Sequence, residues 1–158
     1  MDACASANEC VLVAAGCCGA CDRETAFSFV SVNRGKTQDY AQQNRCSVSC
    51  GMCDPTPESE RTRQYFIPGC RAGRCIVVDV RDTELVACET NDHCALRDGL
   101  ECCQSCDGEG IVALNRSAQV ESVTCAEPIP PCAPCAPTDS TKYQARCVDQ
   151  RCTVAPFP

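Results

Sequence analysis

Tryptophan is absent from this chain, and three tyrosines and four phenylalanines are its only other aromatic residues apart from one histidine, His93. A core built on large aromatic side chains is therefore excluded. The lone histidine removes the usual general base: no serine or cysteine has a second histidine to activate it, which argues against hydrolase-type nucleophilic catalysis. No apolar run reaches the roughly 18 residues that a membrane-spanning helix needs. Basic residues are also sparse, 14 against 21 acidic, giving a net charge of −7. Residues 1–80 hold 8 basic and 9 acidic side chains, and residues 81–158 hold 6 and 12. An acidic surface without a basic stripe is a poor match for nucleic acid or anionic lipid.

What the chain has instead is cysteine, 20 in 158 residues. The cysteines fall into two sets of ten in one order: Cys4, Cys10, Cys17, Cys18, Cys21, Cys46, Cys50, Cys53, Cys70 and Cys75, then Cys88, Cys94, Cys102, Cys103, Cys106, Cys125, Cys132, Cys135, Cys147 and Cys152. Each set reads C-x5-C, a C-C-x2-C cluster, a long gap, one cysteine, a C-x2-C and a closing C-x4-C. Other residues repeat as well. Phe29-Val30-Ser31-Val32-Asn33-Arg34 corresponds to Ile111-Val112-Ala113-Leu114-Asn115-Arg116, and Cys70-Arg71-Ala72-Gly73-Arg74-Cys75 to Cys147-Val148-Asp149-Gln150-Arg151-Cys152. Internal duplication follows, with modules at 1–82 and 83–158. The copies differ mainly before the closing C-x4-C, where 16 residues separate Cys53 from Cys70 but 11 separate Cys135 from Cys147.

Modules of this size are near the limit at which an apolar core suffices, so cysteine at this density reads as a disulfide scaffold in an oxidising compartment. Ten per copy allows complete pairing, about five disulfides each, and the spacing leaves the connectivity open. Neighbours such as Cys17 and Cys18 point in different directions, so they are expected to bond different partners.

Along the chain, Cys4 to Cys21 reads as a loop-rich knot with a helical turn at Val11–Ala15. Ala26–Val32 is a strand by its β-branched and aromatic content. Thr37 is the expected N-cap of a short helix over Asp39–Asn44, with Ser117 and Ala118–Val123 as its counterpart. Pro55, Pro57, Pro128, Pro130, Pro131, Pro134 and Pro137 predict extended loops around the second C-x2-C of each copy. The closing segment is a hairpin turning at Ala72-Gly73, which places Cys70 opposite Cys75. A bridge between those two would close only a tiny loop, so both are expected to reach into the core. The fold class is a small disulfide-rich α+β chain of two homologous tandem modules, each with a strand, a short helix and a C-terminal β-hairpin.

The remaining motifs were weighed as sites. The C-x2-C pairs, 28 residues apart in the first copy and 25 in the second, resemble zinc-ribbon spacing. Six further cysteines per copy are left unexplained by that reading, which stays an alternative. Cys50-Gly51-Met52-Cys53 lacks the helix N-terminus that a redox dithiol uses. Asp107-Gly108-Glu109-Gly110 lacks the ligand spacing of an EF-hand. His93 stands where the first copy has Glu9 and reads as a surface residue. Asn115-Arg116-Ser117 is an N-glycosylation sequon, but the duplicated Asn-Arg reads as turn chemistry, with Asn in a left-handed conformation and Arg pairing locally.

Cys88 to Cys94 followed by Cys102-Cys103-x2-Cys106 resembles the core of whey-acidic-protein domains, many of which are secreted serine-protease inhibitors. The ten-cysteine count resembles the colipase-like modules of Dickkopf and prokineticin proteins. The whole repeat looks most like duplicated cysteine-rich modules of bacterial secreted proteins and lipoproteins. The last resemblance implies an extracellular or cell-envelope location and no activity. The cysteine pattern and the lack of a catalytic constellation read as a structural or interaction protein, not an enzyme, without cofactor or metal, and with a protein partner or self-assembly. The Met-Asp-Ala-Cys start is read as a mature domain whose precursor carries an export signal. The alternative of another class is a protease inhibitor presenting Arg61 or Arg63 in the insertion Glu58–Arg63.

Overall fold

The computed structural model describes residues 1–18, 25–45, 47, 49, 64–106, 110–125, 128–135 and 142–157. The chain divides into two compact units, Met1–Val78 and Asp79–Pro158. Among the described residues, secondary structure is eight short strands in four antiparallel pairs, two α-helices and several 3-10 turns. With few helices, short strand pairs and many disulfides, the fold is small, disulfide-rich α+β.

In the first unit a 3-10 turn at Ala7–Glu9 leads into β1, Cys10–Ala14, which pairs with β2, Phe29–Asn33, from Cys10↔Asn33 to Ala14↔Phe29. The sequence reading placed a helical turn at Val11–Ala15; the segment is a strand. Cys-Val-Leu-Val-Ala is too short to sustain a helix by itself, and its β-branched residues suit the ladder that β2 offers. Each unit thus holds four strands among its described residues, more than the strand plus hairpin expected.

β2 continues into a 3-10 turn, Arg34–Lys36, and then α1, Thr37–Gln43. Thr37 is not the N-cap. It is the first helical residue, and its hydroxyl donates to the Arg34 carbonyl at 3.1 Å. The N-cap of α1 is Lys36, with no side-chain cap bond; Asn33 caps the preceding 3-10 turn, its Oδ1 accepting from the Gly35 N–H at 2.9 Å in an Asx turn. In the second unit α2 spans Val120–Thr124 with Gln119 at the N-cap, shorter than the Ala118–Val123 helix expected and not capped by Ser117. Again the asparagine intervenes: Asn115 Oδ1 accepts from the Ser117 N–H at 2.8 Å and from its hydroxyl at 2.7 Å.

The hairpins are β3, Phe66–Arg71, with β4, Arg74–Asp79, and in the second unit β7, Tyr143–Val148, with β8, Arg151–Pro156. Both two-residue turns are left-handed throughout, with φ of 50° at Ala72 and 75° at Gly73, and 49° at Asp149 and 62° at Gln150. This is the type I′ geometry that matches strand twist, and it favours glycine at the second position. Gln150 occupies that position against a Cβ penalty that Gly73 does not carry. Gln150→Gly is expected to raise stability by about 0.5–1 kcal/mol, the relief of strain outweighing the added freedom of the unfolded chain. Denaturant unfolding under non-reducing conditions checks this; an unchanged or lower midpoint contradicts it.

The second unit repeats the upstream strand pair. β5, Cys94–Asp98, pairs with β6, Ile111–Asn115, from Cys94↔Asn115 to Asp98↔Ile111. The cores are small. In the first unit Phe29 and Phe66 meet with ring centroids 5.2 Å apart, beside buried Val32, Ile67, Cys10 and Cys75. The second unit buries Val86, Leu100, Val112, Ala113, Leu114 and Val120 together with Cys88, Cys94 and Cys152, with no aromatic ring among its buried described residues. Cores this light rely on covalent staples.

Candidate functional site

The distinctive chemistry of the chain is its cystines, and the seven pairings among the described residues lie in two settings. The inner setting is set by the hairpins. In the first unit Cys70 bonds Cys4 and Cys75 bonds Cys10; in the second Cys147 bonds Cys88 and Cys152 bonds Cys94. The facing cysteines of a hairpin therefore do not bridge each other. Each reaches a separate upstream cysteine, as the small loop between them suggested. The bonds run side by side, with the sulfurs of Cys4, Cys10 and Cys75 within 4.8 Å of one another and those of Cys88, Cys94 and Cys152 likewise.

Backbone contacts hold the same register in each unit. Cys4 N–H donates to the Gly73 carbonyl and Cys88 N–H to the Gln150 carbonyl, both at 3.0 Å. Ala3 bridges Arg74, and Ala87 bridges Arg151. The repeated asparagine ties this edge to the upstream pair: Asn33 Nδ2 donates to the Ala3 carbonyl at 2.8 Å, and Asn115 Nδ2 to the Ala87 carbonyl at 2.6 Å. Asn33 has a φ of −62°, so the expected left-handed turn is absent and the asparagine acts through its side chain. The following arginine does pair locally: Arg34 Nε lies 3.4 Å from the Asn8 carbonyl, and Arg116 Nε 3.2 Å from that of Asp92. The sequon asparagine thus has both ends of its amide in use.

The outer setting is a shelf in the second unit. Cys102 bonds Cys125, Cys103 bonds Cys132, and Cys106 bonds Cys135. Adjacent Cys102 and Cys103 have different partners, as their divergent directions require. Cys94 and Cys152 are each 3% exposed, whereas Cys106 and Cys132 are exposed and Cys103 and Cys135 half-buried. Cys106 sits at a φ of 65°, a left-handed conformation that is uncommon for a residue with a Cβ. The two C-x2-C pairs of this copy are bonded to each other, first to first and second to second. Cys17 and Cys18 are disulfide-bonded too, and no described cysteine is free. Cys21, Cys46, Cys50 and Cys53 lie outside the described residues, as do Arg61 and Arg63 of the alternative inhibitory loop and Asp107–Glu109.

Sequence reading missed the group that carries the shelf. Arg97, 8% exposed, is the last residue but one of β5, with its guanidinium directed at backbone carbonyls: Nη1 donates to Gly99, and Nη2 to Glu101 at 3.1 Å and Cys102 at 3.5 Å. Nη2 also meets Glu121 Oε1 at 3.2 Å. Asp98, 3% exposed, accepts from the Gly110 N–H at 3.2 Å through Oδ1 and from the Ser105 N–H at 3.2 Å through its carbonyl. Val13 and Ala14 stand at the matching positions of the first copy. A charged pair replacing an apolar pair was the available signal. His93 is exposed, and its Nδ1 accepts from the Glu89 N–H at 3.3 Å, while Glu9 Oε2 accepts from the Ala5 N–H at 3.0 Å. Histidine and glutamate thus do the same local job, closing the turn before the second cysteine.

The arrangement defines a disulfide-rich α+β chain whose described sulfurs are consumed in S–S bonds. That framework fits an oxidising environment. Among the described residues no helix is long and apolar enough to cross a membrane. Comparison with family models, with curated proteins and with solved structures finds no match to this chain.

Proposed function

We propose that the chain is a tandem pair of homologous disulfide-stapled modules, working without catalysis as a structural or interaction unit outside the cell or in the cell envelope. The observation that carries this reading is the repeated inner framework. The first cysteine of each set bonds the ninth, and the second bonds the tenth, with the same asparagine and backbone contacts on either side. Two segments of one ancestral module explain that correspondence; independent origins do not. The small apolar cores and the dense staples suit a rigid part whose work is to hold a shape for another protein or another copy of itself.

The scaffold reading has a direct test. The oxidised chain is expected to resist a broad-specificity protease at concentrations that degrade the fully reduced and alkylated chain within minutes. Equal resistance of the two forms would remove the basis for a disulfide-dependent scaffold.

A further inference from the structure

The sulfurs of Cys102, Cys103 and Cys132 lie within 4.8 Å of one another, and we propose that they form an exchange junction, at which a thiolate on Cys102 attacks the Cys103–Cys132 bond and passes the free thiol to Cys103. This inference does not rest on the scaffold reading.

The three sulfurs belong to two cystines. Cys103 and Cys132 are bonded to each other, and Cys102 is bonded to Cys125. Opening the Cys102–Cys125 bond leaves a sulfur beside both atoms of an intact disulfide, the arrangement that thiol–disulfide exchange needs. Proximity raises the effective concentration of such a thiolate far above that of a thiol in solution. Access is met as well. Cys132 is exposed, and Cys102 and Cys103 are half-buried, so solvent can take the thiol proton. The clusters Cys4, Cys10, Cys75 and Cys88, Cys94, Cys152 have the same spacing, but Cys10, Cys75, Cys88, Cys94 and Cys152 are buried. Exchange is therefore assigned to the shelf.

Chain geometry selects the sulfur attacked. Cys102 and Cys103 are adjacent, so their Cα atoms stand about 3.8 Å apart, below the ordinary cystine range of roughly 4.4–6.8 Å. A Cys102–Cys103 bond is thus disfavoured. Attack falls on Cys132 Sγ, which lies 3.6 Å from the Cys102 carbonyl oxygen.

Opening of Cys102–Cys125 takes two electrons and two protons from a dithiol, which is oxidised to its disulfide. Cys102 then gives its proton to solvent and attacks. The Cys102–Cys132 bond forms, the Cys103–Cys132 bond breaks, and the electron pair leaves on the Cys103 sulfur, which takes up a proton. This second step is redox-neutral. In both pairings Cys132 stays tied to the Cys102-Cys103 pair, and Cys135 to Cys106, so the thiol moves without releasing the segment that carries them.

Two variants that lack the same bond test the proposal. In the whole oxidised chain, Cys125→Ala leaves the thiol on Cys102, inside the cluster, and Cys102→Ala leaves it on Cys125, outside it. Each variant is equilibrated at about pH 8, close to the ordinary thiol pKa. It is then denatured in acid with excess maleimide, and labelled cysteines and linked peptides are mapped by mass. Cys125→Ala is expected to give a Cys102–Cys132 linked peptide, with label on Cys103 at least ~10-fold above that from Cys102→Ala, where the label stays on Cys125. Label confined to Cys102 in the first variant would overturn the proposal. So would equal migration in both variants, because loss of the shared bond, and not the cluster, would then be moving the thiol.

Discussion

Replacing Cys94 and Cys152 together by alanine is expected to lower the stability of the second unit by about 3–5 kcal/mol. The two residues are 58 apart in sequence, but the neighbouring Cys88–Cys147 bond already closes most of that loop. What the second bond adds is closure of a ring of about a dozen residues, worth roughly 3 kcal/mol by chain entropy. Burial supplies the rest. Both half-cystines are 3% exposed, so alanine leaves unfilled buried volume in a unit whose buried described residues include no aromatic ring. The matching replacement of Cys106 and Cys135 removes a bond between an exposed and a half-buried residue and is expected to cost at least ~1 kcal/mol less, because less buried volume is lost. Non-reducing denaturant unfolding of the two double variants measures the difference. Equal losses, or a larger loss for the outer pair, would contradict the two-setting account.

Arg97→Val carries the second large expected effect, a loss of about 2–4 kcal/mol. Valine is what the first copy has at this position, so its shape suits a strand of this kind. The loss comes from the carbonyls of Gly99, Glu101 and Cys102, which share one guanidinium and are left without it. The ion pair with Glu121 contributes little, because that carboxylate is 43% exposed and solvated. Glu121→Gln is therefore expected to change stability by no more than about 0.5 kcal/mol. Arg97→Lys should recover less than half of the loss, since an ammonium lacks the planar fork that spans several acceptors. Chemical unfolding of the three variants separates these contributions; a full rescue by lysine, or a large loss from Glu121→Gln, would show that charge and not carbonyl geometry matters.

The hairpins were the most legible part of the fold. Ala72-Gly73 between two equivalent arginines announces a tight turn, and the poor return from a Cys70–Cys75 bridge correctly sends both sulfurs elsewhere. The divergent partners of Cys102 and Cys103 followed from backbone direction alone. Connectivity was not legible, because the spacing of ten cysteines constrains loop lengths and not which sulfurs meet. β1 was missed for a related reason. Its five residues carry no period long enough to read, and the ladder that makes them a strand is supplied by β2, fifteen residues beyond its end. The helix starts were misplaced because Thr37 and Ser117 fit the N-cap pattern, while the helices start from Lys36 and Gln119, after turns that the asparagines four and two residues earlier open. That same amide binds the N-terminal edge of each unit, a long-range role that no local rule assigns. Arg97 and Asp98 had no reading from sequence; their partners, at Gly99, Glu101, Cys102, Ser105 and Gly110, come together only in the fold.

The framework's central claim is that both units close the same way, first cysteine to ninth and second to tenth. Peptide mass mapping of the unreduced chain, digested at acidic pH to prevent exchange, tests it most directly. The account predicts linked fragments joining Cys4 to Cys70, Cys10 to Cys75, Cys88 to Cys147 and Cys94 to Cys152. Recovery of Cys70 bonded to Cys75, or of Cys147 bonded to Cys152, would contradict it.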